Sequence, residues 1–295
     1  GIKAAGTDDP KALAAAIRLD PNEATAYLVR GRLYREDSAG QQRAAQAAAD
    51  DLNHYIVLRP GDAAGYLERG HLYLDLGEPQ LALIDLNMAL AIDRALTEAY
   101  QLRGRAYLET GDPAKALSDL DIAHRRGDES DELYRSLGLA YLGAGEYARA
   151  ADALDVAVSR TPGDIALTYA RGLANLYAGN SLRAKQDMDT VLGVNPDSVQ
   201  ALAVRATALL NMGRWEQAIT DFRAAYALDD SYVDALFGIA QAEMALGELA
   251  QAEQTLAAFL AVAPPASPNV PVARAFRDAI TGALAGTPTP RPSGP

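Results

Sequence analysis

A single period governs this chain: from Ala63 onward, the same order of small residues, tyrosines and breaks returns every 34 residues. Counting copies from Ala24, Ala63, Thr97, Asp131, Ile165, Val199 and Val233 puts a small residue at the eighth place of each, namely Gly31, Gly70, Gly104, Gly138, Gly172, Ala206 and Ala240. With one insertion allowed in the first copy, the twentieth place reads Ala48, Ala82, Ala116, Ala150, Ala184, Ala218 and Ala252. A fixed period of this length marks a row of like supersecondary units. Each is too small to bury its apolar face alone, so neighbours must stack.

Within each copy two helical patterns flank a glycine. In the third, Tyr100, Gly104 and Tyr107 fall at helical spacing, then comes the break Gly111-Asp112-Pro113, then the buried stripe Ala116, Leu117, Leu120 and Ala123. Pro113 suits the first turn of a second helix, where a missing N–H costs nothing. The corresponding breaks hold Gly77, Gly111, Gly145, Gly179, Gly213 and Gly247, which can end the preceding helix at positive φ. Gly or Ala in the first helix lets the second approach closely, the alanine column answers from the other side, and Tyr27, Tyr66, Tyr100 and Tyr134 fill the space beside them.

These columns resemble the tetratricopeptide repeat (TPR) family, whose pattern runs aromatic, Leu-Gly, Tyr, Ala, a large apolar residue and a closing Pro. The large apolar place reads Leu52, Leu86, Leu120, Leu154, Met188, Phe222 and Leu256; the closing prolines are Pro60, Pro162, Pro196 and Pro264, with Arg94, Asp128 and Asp230 elsewhere. A five-residue insertion around Asp37–Gln41 and the lack of Trp at the aromatic place depart from the pattern. The resemblance implies an all-α, right-handed α-solenoid of seven helix-turn-helix repeats with half-repeat helices at both ends. Its expected segments are a half-repeat over 1–23, repeats over 24–62, 63–96, 97–130, 131–164, 165–198, 199–232 and 233–266, a capping or docking helix over 267–285, and a Thr/Pro-rich tail over 286–295.

One pair of columns belongs to this chain in particular. Arg30, Arg69, Arg103, Arg171 and Arg205 precede the small residue in five copies, and the same five carry Asp51, Asp85, Asp119, Asp187 and Asp221 in the second helix. The other two copies have neither, showing Leu137 with Ala153 and Ile239 with Thr255. Presence or absence together predicts an ion pair between the helices of one hairpin. A ladder of charged ligand contacts is the alternative.

The ends differ from the middle. Pro10–Pro21 matches only a second helix, and Pro271–Leu284 only a first, with Ala275 and Gly282 spaced like its small residue and its break. Leu13, Ala16 and Ile17 at one end, and Ala275, Phe276, Ile280 and Leu284 at the other, could therefore complete one repeat between two copies of the chain, head to tail. The joint is imperfect, since Asp9 stands where other copies have Ala. A plain solvating cap, or the trace of truncation, explains the same ends.

Chemistry is hard to find. There is no cysteine, hence no disulfide, thiolate metal site or cysteine nucleophile. Phosphate loops, dinucleotide fingerprints, zinc-protease motifs and nucleophile elbows are missing. His54, His71 and His124 stand in separate repeats, and the acidic run Asp128–Glu132 lacks the alternation and central glycine of a calcium loop, so it reads as a helix N-terminus. A net charge of −12 disfavours binding to phosphate backbones, and no run approaches the roughly 18 apolar residues of a membrane helix. No enzyme activity, cofactor, nucleic acid or membrane insertion is expected. Lack of cysteine, a start at Gly1 rather than Met, which suggests processing, and the Thr/Pro tail lean towards export from a bacterial cell, to an extracellular or periplasmic site.

Surface remains. In the family, the resemblance implies, first helices form a concave partner face. Carried onto this chain, that face holds Arg32, Arg35, Glu36, His71, Asp75, Gln101, Arg105, Glu109 and Arg135, then Leu139, Leu142, Tyr169, Leu173, Leu176, Tyr177, Phe237 and Met244. It runs from mixed charge to apolar, and exposed apolar surface of that extent marks a contact site. The Lys and Asn set that chaperone-binding members use for a terminal carboxylate is missing. The expected role is a non-catalytic scaffold for a protein or peptide partner; the alternative is a subunit that assembles into filaments.

Overall fold

The computed structural model describes residues 9–37 and 42–286. Among these every regular element is α-helical. The chain divides into two compact units, residues 1–146 and 147–295. The first holds α1 (Pro10–Leu19), α2 (Ala24–Glu36), α3 (Gln42–Leu58), α4 (Ala63–Asp75), α5 (Pro79–Ile92), α6 (Thr97–Glu109), α7 (Pro113–Arg125) and α8 (Asp131–Gly143). The second holds α9 (Tyr147–Arg160), α10 (Ile165–Tyr177), α11 (Ser181–Val194), α12 (Val199–Asn211), α13 (Trp215–Leu228), α14 (Asp234–Leu246), α15 (Leu249–Val262) and α16 (Asn269–Gly286). Inside each unit, consecutive helices pack as antiparallel-style hairpins stacked side by side, the local form of an α-solenoid.

Local signals set the helix ends. The turn after α6 is a Schellman motif: the N–H of Gly111 bonds the Leu108 carbonyl at 3.0 Å and that of Asp112 bonds the Tyr107 carbonyl at 2.8 Å. Gly111 stands at φ 79°, a conformation that a side chain would strain. Asp112 then accepts from the Lys115 N–H at 3.1 Å, and Pro113 opens α7. All six break glycines read from the sequence have positive φ, and Gly127 joins them.

The small residues permit close packing. A Cβ built on Gly104 would lie 2.6 Å from Leu120 Cγ, and one on Gly70 would lie 2.9 Å from Leu86 Cγ. In the copy with Ala206, the large side chain is Phe222, and its room comes from elsewhere: a Cβ on Gly238, on α14, would lie 2.5 Å from the ring. The alanine column and the large apolar column are buried throughout, with Phe222 the most exposed of them at 4%. Fully burying each such Leu is worth ~1.5–3 kcal/mol.

Several expectations need correction. Gly282 does not end a helix: α16 runs through it for 18 residues, because Ala283, Leu284 and Ala285 are good helix formers with no capping break. The side chains α16 buries are Val270, Ala273 and Ile280, not Ala275. Residues 38–41 of the expected insertion and 287–295 of the expected tail lie outside the described residues.

Candidate functional site

All five Arg–Asp pairs form, and each is a two-pronged fork. Arg30 to Asp51 and Arg69 to Asp85 show both N–H···O distances at 2.7 Å. Arg103 to Asp119 measures 2.7 and 2.9 Å, Arg171 to Asp187 3.2 and 2.6 Å, and Arg205 to Asp221 2.7 and 2.8 Å. Each carboxylate accepts both hydrogen bonds of its fork, and that bonding, then its negative charge, raises the arginine pKa above its ordinary value against the opposing effect of burial.

A third leg was not read from the sequence. The free Nη1 of Arg69 donates to Asn53 at 2.6 Å, that of Arg103 to Asn87 at 2.7 Å, that of Arg171 to Asp155 at 2.8 Å and that of Arg205 to Asp189 at 2.9 Å. Each acceptor stands 16 residues before its arginine, on the preceding second helix, just as the Asp of the fork stands 16 after. One guanidinium thus fixes its own hairpin and the register of the hairpin before it.

Where the arginine is missing, a residue four places later takes over. The Tyr141 hydroxyl donates to Asp121 at 3.5 Å, and Glu243 accepts from Arg223 at 3.5 Å and from the Thr255 hydroxyl at 2.7 Å. The second case reverses the charges, with the base on α13 and the acid on α14. The ladder is therefore built into the packing, each of the five guanidiniums being held by the carboxylate of its own hairpin.

On the first-helix face of the first unit, charged groups cross-link neighbours. Arg32 Nε donates to Glu68 Oε1 at 2.6 Å and Arg35 Nη1 to Asp75 at 3.3 Å, joining α2 to α4. Arg105 on α6 reaches Asp75 at 3.8 Å and Glu109 at 3.0 Å, while His71 lies 3.9 Å from Asp75. Glu36 faces Arg35 at 3.8 Å, and Arg135 lies 3.6 Å from Glu132. Burial, then the Arg35 charge, depresses the His71 pKa, which favours neutral imidazole at pH 7. Gln101 is almost wholly buried, Leu139 is exposed and Leu142 half-buried.

In the second unit, Tyr177 is 58% exposed and stacks on Tyr147 with centroids 4.9 Å apart. Tyr169 and Leu173 are half-buried against the core shared by α11 and α12. Leu176 is buried, correcting its expected place on an open face. Phe237 is corrected likewise: it lies between Phe259 (5.6 Å) and Phe276 of α16 (6.3 Å, parallel rings), with Met244 half-buried in the same cluster. The next helix covers these positions, so outward spacing on one helix did not make them surface.

At the ends, Leu13 and Ala16 pack with Ala26, and Ile17 adjoins them. Ile280 is buried and Phe276 partly so, while Ala275 and Leu284 are exposed. The other two histidines make ring contacts, His54 stacked on Tyr27 at 5.0 Å and His124 edge-on to Tyr134 at 5.9 Å. Ser130 caps α8 by accepting from the Leu133 N–H at 3.2 Å, so the acidic run does open a helix. Among the described residues, no group of three or more His, Asp or Glu is placed to hold a metal ion, and no helix is long and apolar enough to cross a membrane.

Stacked hairpins held together by small residues define a helical repeat protein. The tetratricopeptide repeat family model matches residues 102–165 and 203–271. A tetratricopeptide repeat protein from Parabacteroides merdae ATCC 43184 is similar in structure, at 21% identity and TM-score 0.50, covering 79% of this chain and 90% of that one. YrrB, described as a TPR protein with an unusual peptide-binding site, gives 21% identity and TM-score 0.57 over 63% of this chain and 96% of its own. MamA 41-end from Desulfovibrio magneticus RS-1 gives 19% identity and TM-score 0.51 over 56% and 94%. Comparison with curated proteins gives no match. Residues 102–165 and 203–271 thus carry the tetratricopeptide repeat pattern, on a fold like that of solved tetratricopeptide repeat proteins.

Proposed function

We propose that the protein is a non-catalytic scaffold that binds a protein or peptide on the faces of its first helices. The observation that carries this reading is Tyr177, an aromatic side chain 58% exposed on the first helix α10 and held by its stack on Tyr147. A rigid, exposed aromatic of this kind is a typical anchor of a protein interface. The supporting charged face of the first unit, from Arg32 to Glu109, offers polar recognition without reactive chemistry.

The test is a peptide-display selection on the intact chain, followed by affinities for Tyr177→Ala and Leu182→Ala. Leu182 is 56% exposed but lies on the second helix α11, which makes it the matched control. Tyr177→Ala is expected to weaken binding about tenfold or more, and Leu182→Ala hardly at all. The reverse order contradicts the assignment.

Head-to-tail self-assembly is the second reading. Val272 and Leu284 of α16 stay 41% and 40% exposed, and Ala275 and Ala279 are exposed on the same helix, which supports a docking face there. The other end fits less well, since Leu13 and Ala16 are already buried against α2. Light scattering over a concentration series decides: mass growing with concentration, and lost in Val272→Asp, supports assembly, whereas constant monomer mass ends it.

A further inference from the structure

Between α4, α6 and α8 of the first unit lies an open cavity of about 460 Å³, lined by His71, Glu98, Gln101, Arg105, Asp128 and Glu132 among others. Gln101 is only 7% exposed, yet its side-chain amide has no hydrogen-bond partner among the described residues. Its amide atoms are not sealed from solvent, so the group stays open towards the cavity and can bond a polar group that enters it. The charge around it is acidic. Glu98, Asp128 and Glu132 line the space against one arginine, and Arg105 is already engaged by Glu109 at 3.0 Å and Asp75 at 3.8 Å.

Burial, more than neighbouring charge, makes these carboxyls harder to ionise. Burial, then the nearby Glu68 charge, pushes the Glu98 pKa up, and Arg32 and Arg35 offset this only in part. Burial also pushes Glu132 up; Arg105 and Arg135 work against it, while Glu109 and Asp75 add to it. Asp128 spends one oxygen on the Ser130 N–H at 2.9 Å. A cation in this space would relieve both glutamates. No set of metal-ligating groups is assembled among the described residues, so the cation that fits is an organic one.

We propose that this cavity receives the side chain of a lysine or arginine from a protein partner, its charged head beside Glu98 and Glu132 and an N–H donated to the Gln101 amide oxygen. The proposal deepens the scaffold reading and rests on the first-helix face being the binding face. It assigns the first unit a preference for basic segments.

The experiment is fluorescence anisotropy on the full chain with two labelled peptides of equal length, one alternating Lys with Ala and the other Glu with Ala. Gln101→Leu and Glu132→Gln should each weaken the Lys peptide, and together by about tenfold or more. Asp152→Asn, an equal charge change on the second helix α9, should leave it within about twofold. Circular dichroism checks folding; should Gln101→Leu unfold, Glu132→Gln, at a half-buried site, carries the comparison. Equal loss from Glu132→Gln and Asp152→Asn means diffuse attraction to a chain of charge −12 and overturns the pocket. Failure of the Lys peptide to bind overturns it too. Binding of the Glu peptide alone, with hydrogen-exchange protection on α4 and α6, overturns the cation pocket and leaves the scaffold reading standing.

Discussion

Arg103 grips Asp119 with two hydrogen bonds of 2.7 and 2.9 Å and uses its remaining Nη1 to hold Asn87 at 2.7 Å. Asp119 is 4% exposed, so removing the guanidinium leaves a buried carboxylate without its partner. Arg103→Leu should cost ~3–5 kcal/mol, and Arg103→Leu with Asp119→Ala clearly less, because that pair reproduces the Leu137 and Ala153 of a natural copy. Urea unfolding of the two singles and the double measures the coupling. Additive single effects would contradict it.

Gly238 and Phe222 make a second testable pair. A Cβ at position 238 meets the ring at 2.5 Å, so Gly238→Ala should destabilise by ~1–3 kcal/mol despite the better helix propensity of alanine. Phe222→Leu in the same chain restores the residue most copies carry and should recover much of the loss. Thermal melts of the single and double variants give the answer, and no recovery would contradict the packing account.

Alkaline stability should depend on Tyr55. Its hydroxyl donates to Asp62 at 2.5 Å, and its pKa is pushed up to about 12, chiefly by burial and then by that bond. A raised folded-state pKa means the contribution is whole below the unfolded value of about 10 and disappears as pH rises through about 12. Asp62 is held below its ordinary range by the same hydroxyl and the Ala64 N–H, so its contribution is present above about pH 4 and is lost on acidification through its lower folded value. Tyr55→Phe should lower the unfolding free energy from urea titration at pH 7 by on the order of 1 kcal/mol and narrow its gap from wild type between pH 10 and 12. A gap constant across that window counts against the link.

Thr255 holds the fully buried Glu243 by a 2.7 Å bond, and the more distant Arg223 is over half exposed. Thr255→Ala should cost ~1–3 kcal/mol, since it leaves a fully buried oxygen without that hydrogen bond, and Thr255→Ser much less. Urea midpoints distinguish the two, and equal losses would show that the methyl group, not the hydroxyl, matters.

The sequence disclosed whatever repeats in place. Glycine breaks, the small and alanine columns and the Arg–Asp pairs each had several independent copies, and co-occurrence made the last a contact prediction. The third leg escaped notice because its acceptor varies between Asn53 or Asn87 and Asp155 or Asp189, which hides a common role. Arg223 with Glu243 escaped because the charges exchange helices. The face was read less well. Leu176 and Phe237 point outward by helical spacing, but a neighbouring helix covers them, and only packing between hairpins reveals that. Gly282 misled for the opposite reason: glycine permits a break without imposing one.

Hydrogen exchange on the chain with and without a display-selected peptide tests the central claim most directly. Stacked hairpins that recognise partners on first-helix faces predict slowed exchange confined to first helices such as α4, α6 and α10, with α5, α7 and α11 unchanged. Slowing confined to the second helices, or to α1 and α16 alone, would contradict the account.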